Sequence, residues 1–110
     1  MSIKSFLGKQ LAKLIVLKTQ QWSGNPIKTQ KRVFNHLIKE AKDTAFGRDH
    51  YFSSIKSYED FKAKVPIRDY EGLKNYVKRI QNGESNVLWR GVPLFFAKTS
   101  GTTSGAKYIP

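Results

Sequence analysis

A chain of 110 residues with 39% apolar side chains is sized for one domain at most, able to bury roughly two-thirds of its unfolded surface in a modest core. The absence of cysteine excludes a disulfide scaffold, a thiolate zinc site and a thiol nucleophile, and His36 and His50 alone make a poor metal cluster. Charge departs from ordinary values: 20 Lys and Arg stand against 8 Asp and Glu, and residues 1–39 carry eight of those cations with no acid. Such asymmetry suits an acidic partner, whether nucleic acid, anionic lipid or nucleotide, without choosing among them.

From Ile3 to Trp22 the apolar residues Ile3, Phe6, Leu7, Leu11, Leu14, Ile15 and Leu17 recur at three- and four-residue steps, with Lys4, Lys9, Lys13 and Lys18 assigned to the other face. The pattern predicts a basic amphipathic helix whose lysine stems cover a core stripe. Lys13 and Lys18 bracket its most apolar run, Leu14 to Leu17, so neither a membrane span nor a secretory leader is expected, and the cysteine-free chain is assigned to a reducing cytoplasm. Ser23-Gly24-Asn25 breaks this helix; Asn25 caps the next and Pro26 suits its first position.

The second helix is predicted from Pro26 to Thr44, burying Ile27, Phe34, Leu37, Ile38 and Ala41, with Gly47 stopping it soon after. Phe46 to Phe52 then reads as a loop. Ser57 with Asp60 three residues on resembles a capping box for a short helix through Lys64, ended by Pro66. Asp69 caps a further helix, Tyr70 to Gln81, whose Leu73, Tyr76, Val77 and Ile80 form one face before the stop at Asn82-Gly83. Val87-Leu88-Trp89 and Leu94-Phe95-Phe96-Ala97 read as short buried strands, and Tyr108-Ile109 resumes an apolar stretch.

Between them lies Lys98 to Lys107, small, hydroxylated and punctuated by glycine. Such a turn can surround a phosphate: Gly101 and Gly105 allow the backbone to come close, Ser100, Thr102, Thr103 and Ser104 offer donors, and Lys107 supplies positive charge. Three residues separate the glycines and Ala106 precedes the lysine, so the spacing is not a Walker A loop, and no dinucleotide fingerprint occurs.

Thr99-Ser100-Gly101-Thr102-Thr103-Ser104-Gly105-Ala106-Lys107 resembles the phosphate loop of the adenylate-forming superfamily, usually Thr-Ser-Gly-Thr-Thr-Gly followed by Pro-Lys. The first five positions match; Ser104 and Ala106 depart from it. These departures, with Phe96-Ala97-Lys98 and Tyr108-Ile109-Pro110, are similar to the auxin-responsive promoter family of acyl-acid amido synthetases in its bacterial form. Val65-Pro66-Ile67-Arg68-Asp69-Tyr70-Glu71, Asn86-Val87-Leu88-Trp89 and the stretch from Thr44 to Gly47 extend the resemblance, which covers most of residues 30–110.

The resemblance implies an α/β adenylate-forming enzyme. In it a carboxylic acid attacks the α-phosphate of ATP, pyrophosphate leaves, and an amine or amino acid takes the acyl group as an amide. By matching position Ser100, Thr102 and Thr103 would hold phosphate oxygens, with Gly101, Ser104, Gly105 and Lys107 completing the site and Mg2+ sharing the charge. The family's adenine, ribose and acyl sites lie downstream of this loop, so the expectation is an N-terminal piece of one large domain, inactive alone and bearing no metal ligands of its own.

That piece is expected to be helical over residues 1–83, with about four helices, then strand, phosphate loop and strand over 84–110. No catalytic residue is assigned. A competing reading makes the chain a small basic module that binds nucleic acid or anionic membrane through residues 1–39; the enzyme reading expects no nucleic-acid partner. His36 and His50 show no partner in the sequence, Asp69 and Glu71 read as helix electrostatics, and Tyr51, Phe52, Tyr58 and Phe61 read as packing residues, with Trp89 under the sheet.

Overall fold

The computed structural model describes residues 2–101 and 105–110. Among these the chain forms α1 (Ile3–Ser23), α2 (Pro26–Ala41), α3 (Ala45–Asp49), a 3-10 turn (Phe52–Ser54), α4 (Tyr58–Lys64), α5 (Tyr70–Gln81), β1 (Ala97–Lys98) and β2 (Tyr108–Ile109). The fold is mainly helical and ends in a two-stranded sheet, as expected of the start of an α/β adenylate-forming domain. It divides into two compact units, one through Asn35 and one from His36.

In the first unit Ser2 caps α1 by accepting the Ser5 N–H at 3.2 Å. Asn25 accepts the Lys28 N–H at 3.2 Å, and the Thr29 hydroxyl donates to the Trp22 carbonyl at 2.9 Å, which ties the helix junction together. The separation of faces expected for α1 is not what forms. At 100° per residue the consecutive Leu14, Ile15, Val16 and Leu17 point to every side, and Lys18 stands four residues after Leu14 on the same stripe. No residue of α1 is buried. No helix among the described residues is long and apolar enough to cross a membrane.

Of the apolar residues expected inside α2, Ile38 and Ala41 are buried, whereas Ile27 is 81% and Leu37 47% exposed. The helix stops at Ala41, ahead of the expected Thr44, because one buried hydroxyl serves two helices. Thr44 Oγ1 donates to the Ala41 carbonyl at 2.7 Å and accepts the Gly47 N–H at 2.9 Å, closing α2 and capping α3. The segment expected as a loop over Phe46–Phe52 therefore begins as a helix, and Gly47 lies inside it rather than ending α2. A Cβ at Gly47 would collide with the Ala41 carbonyl, so glycine is required for this close approach.

The first amides of α3 bond outside the helix. Ala45 N–H donates to Asn86 O at 2.8 Å and Phe46 N–H to Val87 O at 2.9 Å. This corrects the expected strand at Val87–Trp89. Asn86 turns through a φ of 56° and Gly91 through 78°, Asn86 N–H meets Gly91 O at 3.0 Å, and Gly91 N–H meets Asn86 Oδ1 at 2.8 Å. The result is a closed turn whose carbonyls cap α3. Its Val87 is 1% exposed and packs with Ala45 and Ile80, flanked by Tyr76, Leu88 and Phe96.

Leu94 and Phe95, also expected in a buried strand, are 89% and 84% exposed, and Trp89 is half exposed rather than under a sheet. Among the expected packing aromatics Phe52 is buried, but Tyr51 and Tyr58 face outward. Two helices form as expected. Ser57 and Asp60 complete the capping box of α4, and Asp69 accepts the Gly72 N–H at 3.1 Å to start α5, which ends before Gly83 at a φ of 88°.

Candidate functional site

The glycine-rich segment joins β1 to β2, which pair antiparallel with Ala97 opposite Ile109 and Lys98 opposite Tyr108. One step further Thr99 and Lys107 lock the neck of the loop. Thr99 N–H donates to the Lys107 carbonyl at 2.9 Å, and Lys107 N–H donates to Thr99 Oγ1 at 3.0 Å. Beyond the neck Gly101 and Gly105 adopt positive φ, 70° and 82°. A Cβ on Gly101 would stand 2.7 Å from Ala106 N and 2.8 Å from Gly105 C. Gly101 thus lets its backbone lie directly against Gly105 and Ala106.

Of the seven expected phosphate-binding residues, Ser100, Gly101, Gly105 and Lys107 are placed at the neck and on the limbs, with Ser100 exposed and Lys107 partly covered. Thr102, Thr103 and Ser104 lie outside the described residues. The Lys107 ammonium lies 5.9 Å from the Tyr70 ring centroid and that of Lys98 5.8 Å from the Tyr108 ring, both within cation–π range.

Two contacts go beyond the sequence reading: Thr99, the first residue of the matched motif, closes the neck, and Tyr70, the first residue of α5, reaches the hairpin. Tyr70 accepts the Tyr108 N–H at 3.0 Å and donates back toward the Tyr108 carbonyl at 3.4 Å. No periodicity links residues that far apart in the chain; only the Asp69 cap, which fixes where Tyr70 emerges, hinted at it. Next to the hairpin an apolar cavity of ≈ 460 Å³ is lined by Leu73 and Val77 of α5, Val87 and Trp89 of the turn, and Tyr108.

The second unit also holds a polar and aromatic network between α5 and the segment from Phe46 to His50. His50, which the sequence left without a partner, is buried: Nδ1 meets the Phe46 carbonyl at 2.7 Å, Nε2 meets Arg68 Nη2 at 2.8 Å, and its ring stacks on Phe46 at 4.0 Å. Because a carbonyl only accepts and a guanidinium only donates, Nδ1 carries the proton. Tyr76 donates to Asp49 Oδ2 at 2.6 Å; burial first, then that carboxylate, holds its phenol above the usual range. Arg79 grips Glu84 with two bonds of 2.7 and 2.6 Å, which hold the carboxyl below its usual range.

A helical body that ends in a glycine-pinched hairpin is consistent with an incomplete α/β adenylate-forming domain, and comparison with known proteins defines the family. The chain belongs to the GH3 family: the model for the GH3 family N-terminal domain matches residues 17–110. It is similar to the indole-3-acetic acid-amido synthetase GH3.2 of Arabidopsis thaliana, with 27% identity over 91 residues that cover 82% of this chain and 17% of that protein. Against the indole-3-acetic acid-amido synthetase GH3.4 of the same plant it is 29% identical over 86 residues, 77% of this chain and 14% of the relative. The chain thus spans less than a fifth of the length of these curated relatives. No solved structure matches it.

Proposed function

We propose that residues 84–110 supply the phosphate loop of an ATP-dependent acyl-acid amido synthetase, and that residues 1–83 are the helical start of the same large domain. The observation that carries this reading is the neck of the loop in a GH3-family chain: Gly101 backbone against Gly105 and Ala106, closed by the Thr99–Lys107 pair. Glycines at positive φ let backbone amides turn toward an anion, and Lys107 adds the positive charge such a loop uses.

The chemistry follows from the family and the loop together. A carboxylate oxygen attacks the α-phosphorus of ATP, the bond to the β-phosphate oxygen breaks, and pyrophosphate leaves with the electron pair. An amine then displaces AMP from the acyl-adenylate and loses a proton as the amide forms. Ser100, Gly101, Thr102, Thr103, Ser104, Gly105 and Lys107 are the proposed phosphate contacts, where charge gathers on the leaving group. Mg2+ is proposed to share the phosphate charge in the full-length enzyme, since it is commonly bound through substrate phosphates. The carboxylic acid and the amine or amino acid are bound by parts of the enzyme beyond this segment. A cytoplasmic setting and the bacterial form of the family, the latter resting on Ser104 and Ala106 together with Phe96-Ala97-Lys98 and Tyr108-Ile109-Pro110, belong to the same proposal.

The test is titration of the isotope-labelled chain with MgATP. Saturable shifts at the Gly101, Gly105 and Lys107 amides are the expected result. Shifts confined to residues 1–39 would defeat the phosphate-loop reading and favour the rival one. That rival, a basic module for nucleic acid or anionic membrane, draws on the acid-free run through Lys39 and on the exposed α1. It requires binding that collapses as salt rises and survives removal of residues 95–110.

A further inference from the structure

Tyr70 sits in the first turn of α5, yet its hydroxyl serves the hairpin, taking the Tyr108 N–H at 3.0 Å, while its ring lies within 5.9 Å of the Lys107 ammonium. Its own position is fixed by the residues around it. Arg68 donates to His50 Nε2 at 2.8 Å with its guanidinium 5.7 Å from the Phe46 ring centroid. Asp69 caps the helix on Gly72 N–H, and Gly72 leaves space for the Arg68 stem, whose Cβ would stand 2.9 Å from a Cβ there. The hairpin, with two residues in each strand, has little to hold it by itself.

Resting on the phosphate-loop reading above, we infer that Tyr70 is a positioning residue for that loop. It joins the β2 side of the neck to the rigid start of α5 and keeps the Lys107 ammonium over its ring, so the cation is in place before the anion arrives. Tyr70 touches no reacting atom; it acts through Tyr108 and Lys107. Support of this kind matters because a loop that must be ordered on binding loses affinity to the cost of ordering it.

Tyr70→Phe keeps the ring and the net charge and removes only the hydroxyl. The experiment titrates inorganic triphosphate into the labelled 110-residue chain and its variants, following the Gly101 and Lys107 amides, with thermal unfolding as the check on folding. Affinity should fall about five-fold in Tyr70→Phe, the change that one net hydrogen bond carries. Tyr51→Phe, at a tyrosine that is 68% exposed, should match the native chain. Binding to diffuse positive charge would be insensitive to both variants, since neither alters charge.

A second measurement needs no variant: by linkage, triphosphate should slow hydrogen exchange of the Tyr108 amide in the native chain. Equal affinity of Tyr70→Phe and the native chain overturns the inference and leaves the phosphate loop standing, and so does an unchanged Tyr108 exchange rate on saturation. A native chain without saturable shifts at Gly101 and Lys107 overturns both.

Discussion

Gly101 and Gly105 run through similar positive φ angles, 70° and 82°, but only Gly101 is also pressed against backbone. Gly105→Ala should cost the left-handed penalty alone, about 1 to 2 kcal/mol. Gly101→Ala adds an overlap with Ala106 N that only backbone movement relieves, so its cost should be larger by about 1 kcal/mol or more. Hydrogen exchange at the Thr99 amide, bonded to the Lys107 carbonyl, reports both, and equal loss of protection would remove the steric argument. A second residue-scale effect concerns Asp60. The Lys56 N–H first, then Ser57 and the charge of Lys64, hold its carboxyl below the ordinary value of about 3.9. The folded pKa is the lower one, so the cap is fully effective above about pH 3.9 and is lost as pH falls through the folded value. Exchange at the Lys56 and Ser57 amides should rise over that acid range, and in Asp60→Asn this dependence should flatten.

At the scale of elements, legibility in the sequence followed locality. The start of α5 at Asp69, its stop at Asn82-Gly83 and the capping box of α4 are decided by residues within one turn of each other, and each formed as read. The turn from Asn86 to Gly91 and the helix α3 are decided jointly, by amides of Ala45 and Phe46 meeting carbonyls some forty residues away, and apolar runs such as Val87-Leu88-Trp89 carry no mark of that pairing. The candidate site divides in the same way. The positive φ of Gly101 and Gly105 was legible from residue type, whereas the bond from Tyr108 N–H to Tyr70 was not, because it depends on where α5 sets Tyr70 against the hairpin. The non-local pairing around α3 yields a test. Gly47→Ala places a methyl group into the Ala41 carbonyl, so α3 must shift off the end of α2. The expected destabilisation is at least about 2 kcal/mol in urea unfolding, comparable with overpacking a core. A change below about 0.5 kcal/mol would mean that the close approach does not contribute to stability.

For the molecule as a whole, two opposing surface properties decide behaviour in solution. A net charge of +12 on 110 residues keeps copies apart at low ionic strength, while Leu94 and Phe95 stand adjacent in the second unit at 89% and 84% exposure, next to a two-stranded sheet. Salt separates the two forces. Raising ionic strength from about 0.02 to about 0.5 M shortens the Debye length from roughly 20 Å to roughly 4 Å, which removes long-range repulsion and leaves apolar attraction intact or slightly strengthened. Self-association should therefore increase with salt, the reverse of what binding driven by charge pairing would do. Sedimentation velocity across that range should show the native chain moving toward larger species, and the double variant Leu94→Ser with Phe95→Ser should stay monomeric at both ends. If the native chain is monomeric throughout, or the double variant associates equally, the exposed Leu94–Phe95 pair is not the contact.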